Sequence, residues 1–183
     1  MKGPLGFLIL LQVGLLLLGG GGMLLLGFPW GPKDPWVDLG LAGALFLLLF
    51  GLEALFGRLF PASFKEAEAL HRALGLALRR AGLGPMALLF LALLSALSEE
   101  VFFRGFLQSL LSGWVGGWGV LLQALLFALF HPAPRAAWAY PLYTGVAGVL
   151  FGLAYALSGS LLPGVLAHFL HNARGFYEIA RQA

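Results

Sequence analysis

Apolar residues run along this chain in blocks of about twenty, separated by short clusters of Pro, Gly and charged residues, a pattern that predicts membrane-spanning helices. The blocks cover about 5–28, 37–60, 85–111, 118–131, 141–157 and 161–179. The stretch 62–80 differs. It mixes Lys65, Glu66, Glu68, His71, Arg72, Arg79 and Arg80 with Phe64, Leu70, Leu74, Leu76 and Leu78, which predicts an amphipathic helix lying on a membrane surface. The expected fold is all-α: a polytopic transmembrane helical bundle of about six spans plus one amphipathic interfacial helix, in a single membrane domain over 1–183.

Composition agrees. The 183 residues are 60% hydrophobic and 10% charged, and the mean hydropathy is +0.92, whereas a soluble domain carries about 25% charged residues. The net charge of +3 would suggest nucleic acid in a soluble protein. Here the basic residues sit mainly in connections, where membrane topology explains them, so no nucleic-acid partner is expected. The chain has no cysteine, which excludes disulfides, thiolate metal sites and a cysteine nucleophile.

The first block follows Lys2 and has the basic start of a secretory signal, but it lacks a small-x-small cleavage site and is long enough to span, so a retained anchor is expected. Its glycines, Gly19 to Gly22, allow close helix approach. Pro29, Trp30, Pro32, Lys33, Asp34 and Pro35 form the next turn, and Trp30 and Trp36 suit the headgroup boundary. With alternating spans, Lys2, Arg58, Lys65, Arg72, Arg79, Arg80, Arg135 and Arg181 fall on one side, against Lys33 on the other. The positive-inside rule then places both termini and the amphipathic segment in the cytoplasm, with a bacterial cytoplasmic membrane as the expected location.

Ionisable side chains within a span cost about 2.5–3.5 kcal/mol each on insertion scales and mark function by default. Glu99 and Glu100 are adjacent on the third span. Arg104 lies one turn beyond Glu100 on the same face, so these two can pair. Glu99 is rotated by about 100° and is free to face another neighbour. His131 ends the fourth span, while His168 and Asn172 lie at i and i+4 on the sixth. At about 1.5 Å per residue, Glu99, His131, His168 and Asn172 fall about 10–20 Å below the outer ends of their helices, in one central layer. A structural polar cluster gluing helices together would explain Glu99, Glu100 and Arg104, and a satisfied interior residue a lone histidine; Glu, His, His and Asn at similar depth on three helices point to a site.

Three segments carry a family resemblance: Glu99-Glu100-Val-Phe-Phe-Arg104 is similar to an EExxxR motif, Phe127-Ala-Leu-Phe-His131 to FxxxH, and His168-Phe-Leu-His-Asn172 to HxxxN. In this order on successive apolar segments they resemble the CPBP family of intramembrane proteases, which includes the type II CAAX prenyl endopeptidases. The resemblance covers about 85–179, the expected catalytic core; the first two spans carry no diagnostic residue. It implies that Glu99 activates the attacking water with help from His131, that His168 and Asn172 polarise the scissile carbonyl and stabilise the oxyanion, and that Glu100 and Arg104 support them. Glu99, His131 and His168 would also supply the three ligands of an open catalytic zinc site, so a metalloprotease and a glutamate-type protease both stand. The implied partners are the lipid bilayer and a membrane-associated peptide or protein substrate.

His171 adjoins Asn172 and is expected to be a neighbour of the site. His71 is expected to be a solvated interfacial residue, and Glu53 to pair with Arg58 in preference to lining the cavity. Phe102, Phe103, Phe106, Phe127, Phe130 and Phe169 are expected mostly in packing and lipid contact, with some lining the substrate groove. Two other functions fit the same residues: a non-catalytic membrane scaffold or immunity protein, and a small proton-coupled transporter, the latter disfavoured because no inverted repeat is evident.

Overall fold

The computed structural model describes residues 4–31 and 34–181, with side chains described as far as 175. Lys2, Pro32, Lys33 and the Arg181 side chain, all part of the loop reading above, lie outside the described residues, as do the side chains at the end of the sixth segment. Each predicted apolar segment is a helix. The order is α1 (Pro4–Leu26), α2 (Pro35–Leu59), α3 (Pro61–Arg80), α4 (Pro85–Val115), α5 (Trp118–Phe130), α6 (Ala139–Ser158) and α7 (Leu162–Arg181).

Local chemistry sets the ends. Proline opens α1, α2, α3 and α4, where its missing N–H has no helical partner to lose. Asp34 caps α2 by accepting hydrogen bonds from the Trp36 and Val37 amides at 2.9 and 3.2 Å. Gly159 closes α6 in the left-handed region, φ +64° and ψ +21°, which a side chain would disfavour. Pro132 stops α5 just after His131.

Among the described residues four helices, α1, α2, α4 and α6, are long and apolar enough to cross a membrane. At 13 residues, α5 reaches about 20 Å, short of a hydrocarbon core of about 30 Å. It therefore ends part-way along the bundle, where its last side chains meet the interior. α7 is long enough but carries His168, His171, Asn172 and Arg174, and it packs between α2 and α4, with α6 alongside. The amphipathic α3 buries Phe64, Ala67, Gly75 and Leu78, exposes its charged residues, and lies against α2 and the turn at 135–137. Arg58, Lys65, Arg72, Arg79, Arg80 and Arg135 thus gather at one end.

Two close approaches fix the helices that carry the polar residues. α1 runs parallel to α4, with Gln12 beside Ser98 and Gly19 against Phe102. A Cβ on Gly19 would lie 2.7 Å from Phe102 Cα, so only glycine fits. α7 runs antiparallel to α4: Leu161 meets Gly105, and a Cβ on Gly164 would lie 2.6 Å from Glu100 Oε2. Glutamines add polar glue. Gln108 donates to the Gly152 carbonyl at 2.9 Å and Gln123 to the Gly148 carbonyl at 2.8 Å.

Candidate active site

The third span contains a feature that its sequence pattern does not reveal. Residues Glu100–Gln108 are π-helical inside α4, a rare widening that recurs at functional sites. Glu99 ends the α-helical part and Glu100 begins the wide part, and the two carboxylates separate to different neighbours as expected.

Glu100 is buried and accepts two charge-assisted hydrogen bonds on Oε1, from Arg104 Nη1 and from His168 Nδ1, each 3.0 Å long. Arg104 is fully buried. Its guanidinium lies over the rings of Phe127 and Phe151, 4.2 and 4.8 Å from their centroids, and Nη2 reaches the Gly148 carbonyl at 3.4 Å. The predicted Glu100–Arg104 pair is thus present and is packed between aromatic faces.

Glu99 is also buried, and its two oxygens are treated differently. Oε1 accepts from Ser95 Oγ at 2.8 Å and from Gln12 Nε2 at 3.2 Å. Oε2 has no hydrogen-bond partner among the described residues. It faces His131 Nε2 at 3.7 Å and His168 Nε2 at 3.9 Å. The histidine tautomers follow from their other nitrogens. His131 Nδ1 lies 2.8 Å from the Phe127 carbonyl, which can only accept, and His168 Nδ1 faces the Glu100 carboxylate. Both rings therefore carry hydrogen on Nδ1, and in the neutral form each offers an Nε2 lone pair to the gap beside Glu99 Oε2. Three acceptors converge there. Such a gap calls for something with hydrogens or positive charge.

Water meets that need by donating one hydrogen to the carboxylate and one to an imidazole. A zinc ion meets it in donor type, since two imidazole nitrogens and a carboxylate oxygen are its usual ligands, and both rings have the outer hydrogen bond that metal-binding histidines typically make. Among the described residues no group of three or more such side chains is drawn together as a ready metal site.

The other expected residues divide. Asn172 lies one turn beyond His168 on α7, half-buried, and its side chain makes no hydrogen bond within the described residues. His171 turns aside: its Nε2 lies 3.0 Å from Tyr143 Oη. His71 is exposed on α3 as expected, yet its ring packs on Tyr140, 4.9 Å between centroids, and Tyr140 lies 6.5 Å from the ring of His131. Desolvation, with a smaller contribution from nearby His131, holds the His71 pKa below the usual imidazole value. Glu53 is paired with Arg174 on α7, not Arg58 as expected. Residues five apart diverge by about 140° around a helix, so Arg58 faces away from Glu53.

Gln12, Ser95 and Ser98 are the contacts that the motif reading missed. A signal existed for Gln12, the lone polar side chain between 4 and 26, and lone polar groups in spans usually have partners.

Comparison with known proteins adds to this geometry. The model of a family described as "Type II CAAX prenyl endopeptidase Rce1-like" matches residues 81–174, just over half of the chain. "Uncharacterized protein YpbD" of Bacillus subtilis (strain 168) is 33% identical over 86 residues, 47% of this chain and 42% of that protein. The chain thus spans less than half the length of this curated relative. No solved structure matches.

Proposed function

From the premise that the chain belongs to the Rce1-like, type II CAAX prenyl endopeptidase family, we propose that it is an intramembrane endopeptidase in which Glu99 activates water against a membrane-associated peptide. The observation that carries this reading is the unpartnered Glu99 Oε2 facing the two imidazole Nε2 atoms.

In the proposed reaction a water sits in that gap and gives one hydrogen to Glu99 Oε2 and one to His131 Nε2. As its oxygen attacks the scissile carbonyl, Glu99 takes the proton and later returns it to the leaving amine. Fixed partners surround each group, so little reorganisation accompanies the attack. Glu99 and Glu100 bring two negative charges and Arg104 one positive charge, all buried. In this reading His168 and Asn172 polarise the scissile carbonyl and stabilise the developing oxyanion. Glu100 and Arg104 hold the His168 ring in place. If zinc binds, Glu99, His131 and His168 would hold it, and it would supply a bound water acidic enough to attack near neutral pH.

The protein is an integral membrane protein. The gathering of Arg58, Lys65, Arg72, Arg79, Arg80 and Arg135 at one end supports a cytoplasmic position for that end, in a bacterial cytoplasmic membrane. The test is cleavage of a panel of membrane-anchored peptides, prenylated and not, by the protein in liposomes. Wild type should cut at least one peptide that Glu99→Ala and His131→Ala do not. A folded wild type that cuts none would return the site to a non-catalytic scaffold.

A further inference from the structure

We infer that Gln12 of α1 is a positioning residue for Glu99, which makes the first helix part of the catalytic machinery and not only an anchor. This rests on the reading of Glu99 as the base. Gln12 lies outside the segment 81–174 that carries the family match.

Glu99 Oε1 and Oε2 differ only in their surroundings, and Gln12 helps create the difference. Its Nε2 and the Ser95 hydroxyl both donate to Oε1, while Oε2 is left open toward His131 and His168. Two bonds on one oxygen fix the carboxylate plane, so the open oxygen cannot swing away from the histidines. The amide is itself held. An ionised carboxylate only accepts, so the Gln12 NH2 must face Glu99 and Gln12 Oε1 must face Ser98. Ser98 Oγ lies against that Oε1 and near the Leu94 and Ser95 carbonyls. Donation from this hydroxyl to Gln12 Oε1 holds the amide in that orientation. Register is set two turns along, where Gly19 presses on the Phe102 backbone. The order is therefore Ser98 to Gln12 to Glu99, running from α4 out to α1 and back.

Gln12→Met keeps length and volume and removes the donor. In the liposome cleavage assay its kcat should fall about tenfold, the scale of one lost hydrogen bond to a charged group, with KM within about twofold and the unfolding midpoint in detergent unchanged. Ser98→Ala should lower kcat by less. The double variant should be no slower than Gln12→Met, because Ser98 acts only through Gln12. Wild-type kcat in Gln12→Met, losses that multiply in the double variant, or a loss that tracks the unfolding midpoint would overturn the inference. Should Gln12→Met not fold, Ser98→Ala decides, and an unchanged kcat there overturns it as well. Glu99→Gln, run alongside, separates the premises: if it stays active the base is misassigned, and if it is inactive while Gln12→Met is normal, only the role of Gln12 fails.

Discussion

His168 holds its Nδ1 3.0 Å from Glu100 Oε1, and that bond turns its Nε2 toward Glu99. Of two adjacent residues of one helix, Glu100 thus bonds one edge of the ring and Glu99 Oε2 faces the other at 3.9 Å. Glu100 in turn is anchored by Arg104, so the orientation of His168 depends on a buried ion pair.

Removing the cation should therefore be costly. Arg104→Ala leaves Glu100 buried without its guanidinium and strips the contacts with Phe127 and Phe151; breaking a buried pair in this way costs about 3–5 kcal/mol. Denaturant unfolding in detergent should register a loss of that size, together with lost cleavage. A variant as stable as wild type would mean that water reaches the Glu100 carboxylate.

Gly164→Ala probes the same carboxylate without touching its charge. The new Cβ would sit 2.6 Å from Glu100 Oε2, so Glu100 must shift and His168 with it. Overpacking of this kind costs about 1–3 kcal/mol, and kcat should fall with it. Gly21→Ala meets nothing within 4 Å and should be no less stable than wild type, since alanine is the better helix former.

Asn172 and His171 should separate although they are neighbours. The Asn172 side chain makes no hydrogen bond within the described residues, so Asn172→Ala should leave the unfolding midpoint unchanged. Loss of an oxyanion donor should still lower kcat about 10²–10³-fold. His171→Gln should keep cleavage within about twofold, because His171 is engaged with Tyr143. The reverse ranking would move the HxxxN reading one residue along the helix.

Much of this arrangement was legible in the sequence. A span punishes every ionisable group, so Glu99, Glu100, Arg104, His131 and His168 stood out against their apolar neighbours, and helical spacing paired Glu100 with Arg104. The helices themselves followed from block lengths. What escaped was set by tertiary pairing. Gln12 is uncharged, and although Gly19 to Gly22 allow a close helix approach, nothing in the sequence says that its partner is the α4 backbone. Arg174 reaches Glu53 only because α7 packs on α2. The π-helical turn at Glu100–Gln108 left no periodicity signal, since the residues around it are apolar on several faces.

The central claim is tested most directly by single-turnover cleavage of a membrane-anchored peptide in liposomes, comparing wild type with Glu99→Gln, an isosteric change that removes the base and keeps the fold, each with and without a zinc chelator. The account predicts cleavage by wild type and at least a hundredfold loss in Glu99→Gln with an unchanged unfolding midpoint. Loss of wild-type cleavage with the chelator, restored by zinc, would assign the ion to Glu99, His131 and His168. Cleavage by Glu99→Gln at the wild-type rate would contradict the account.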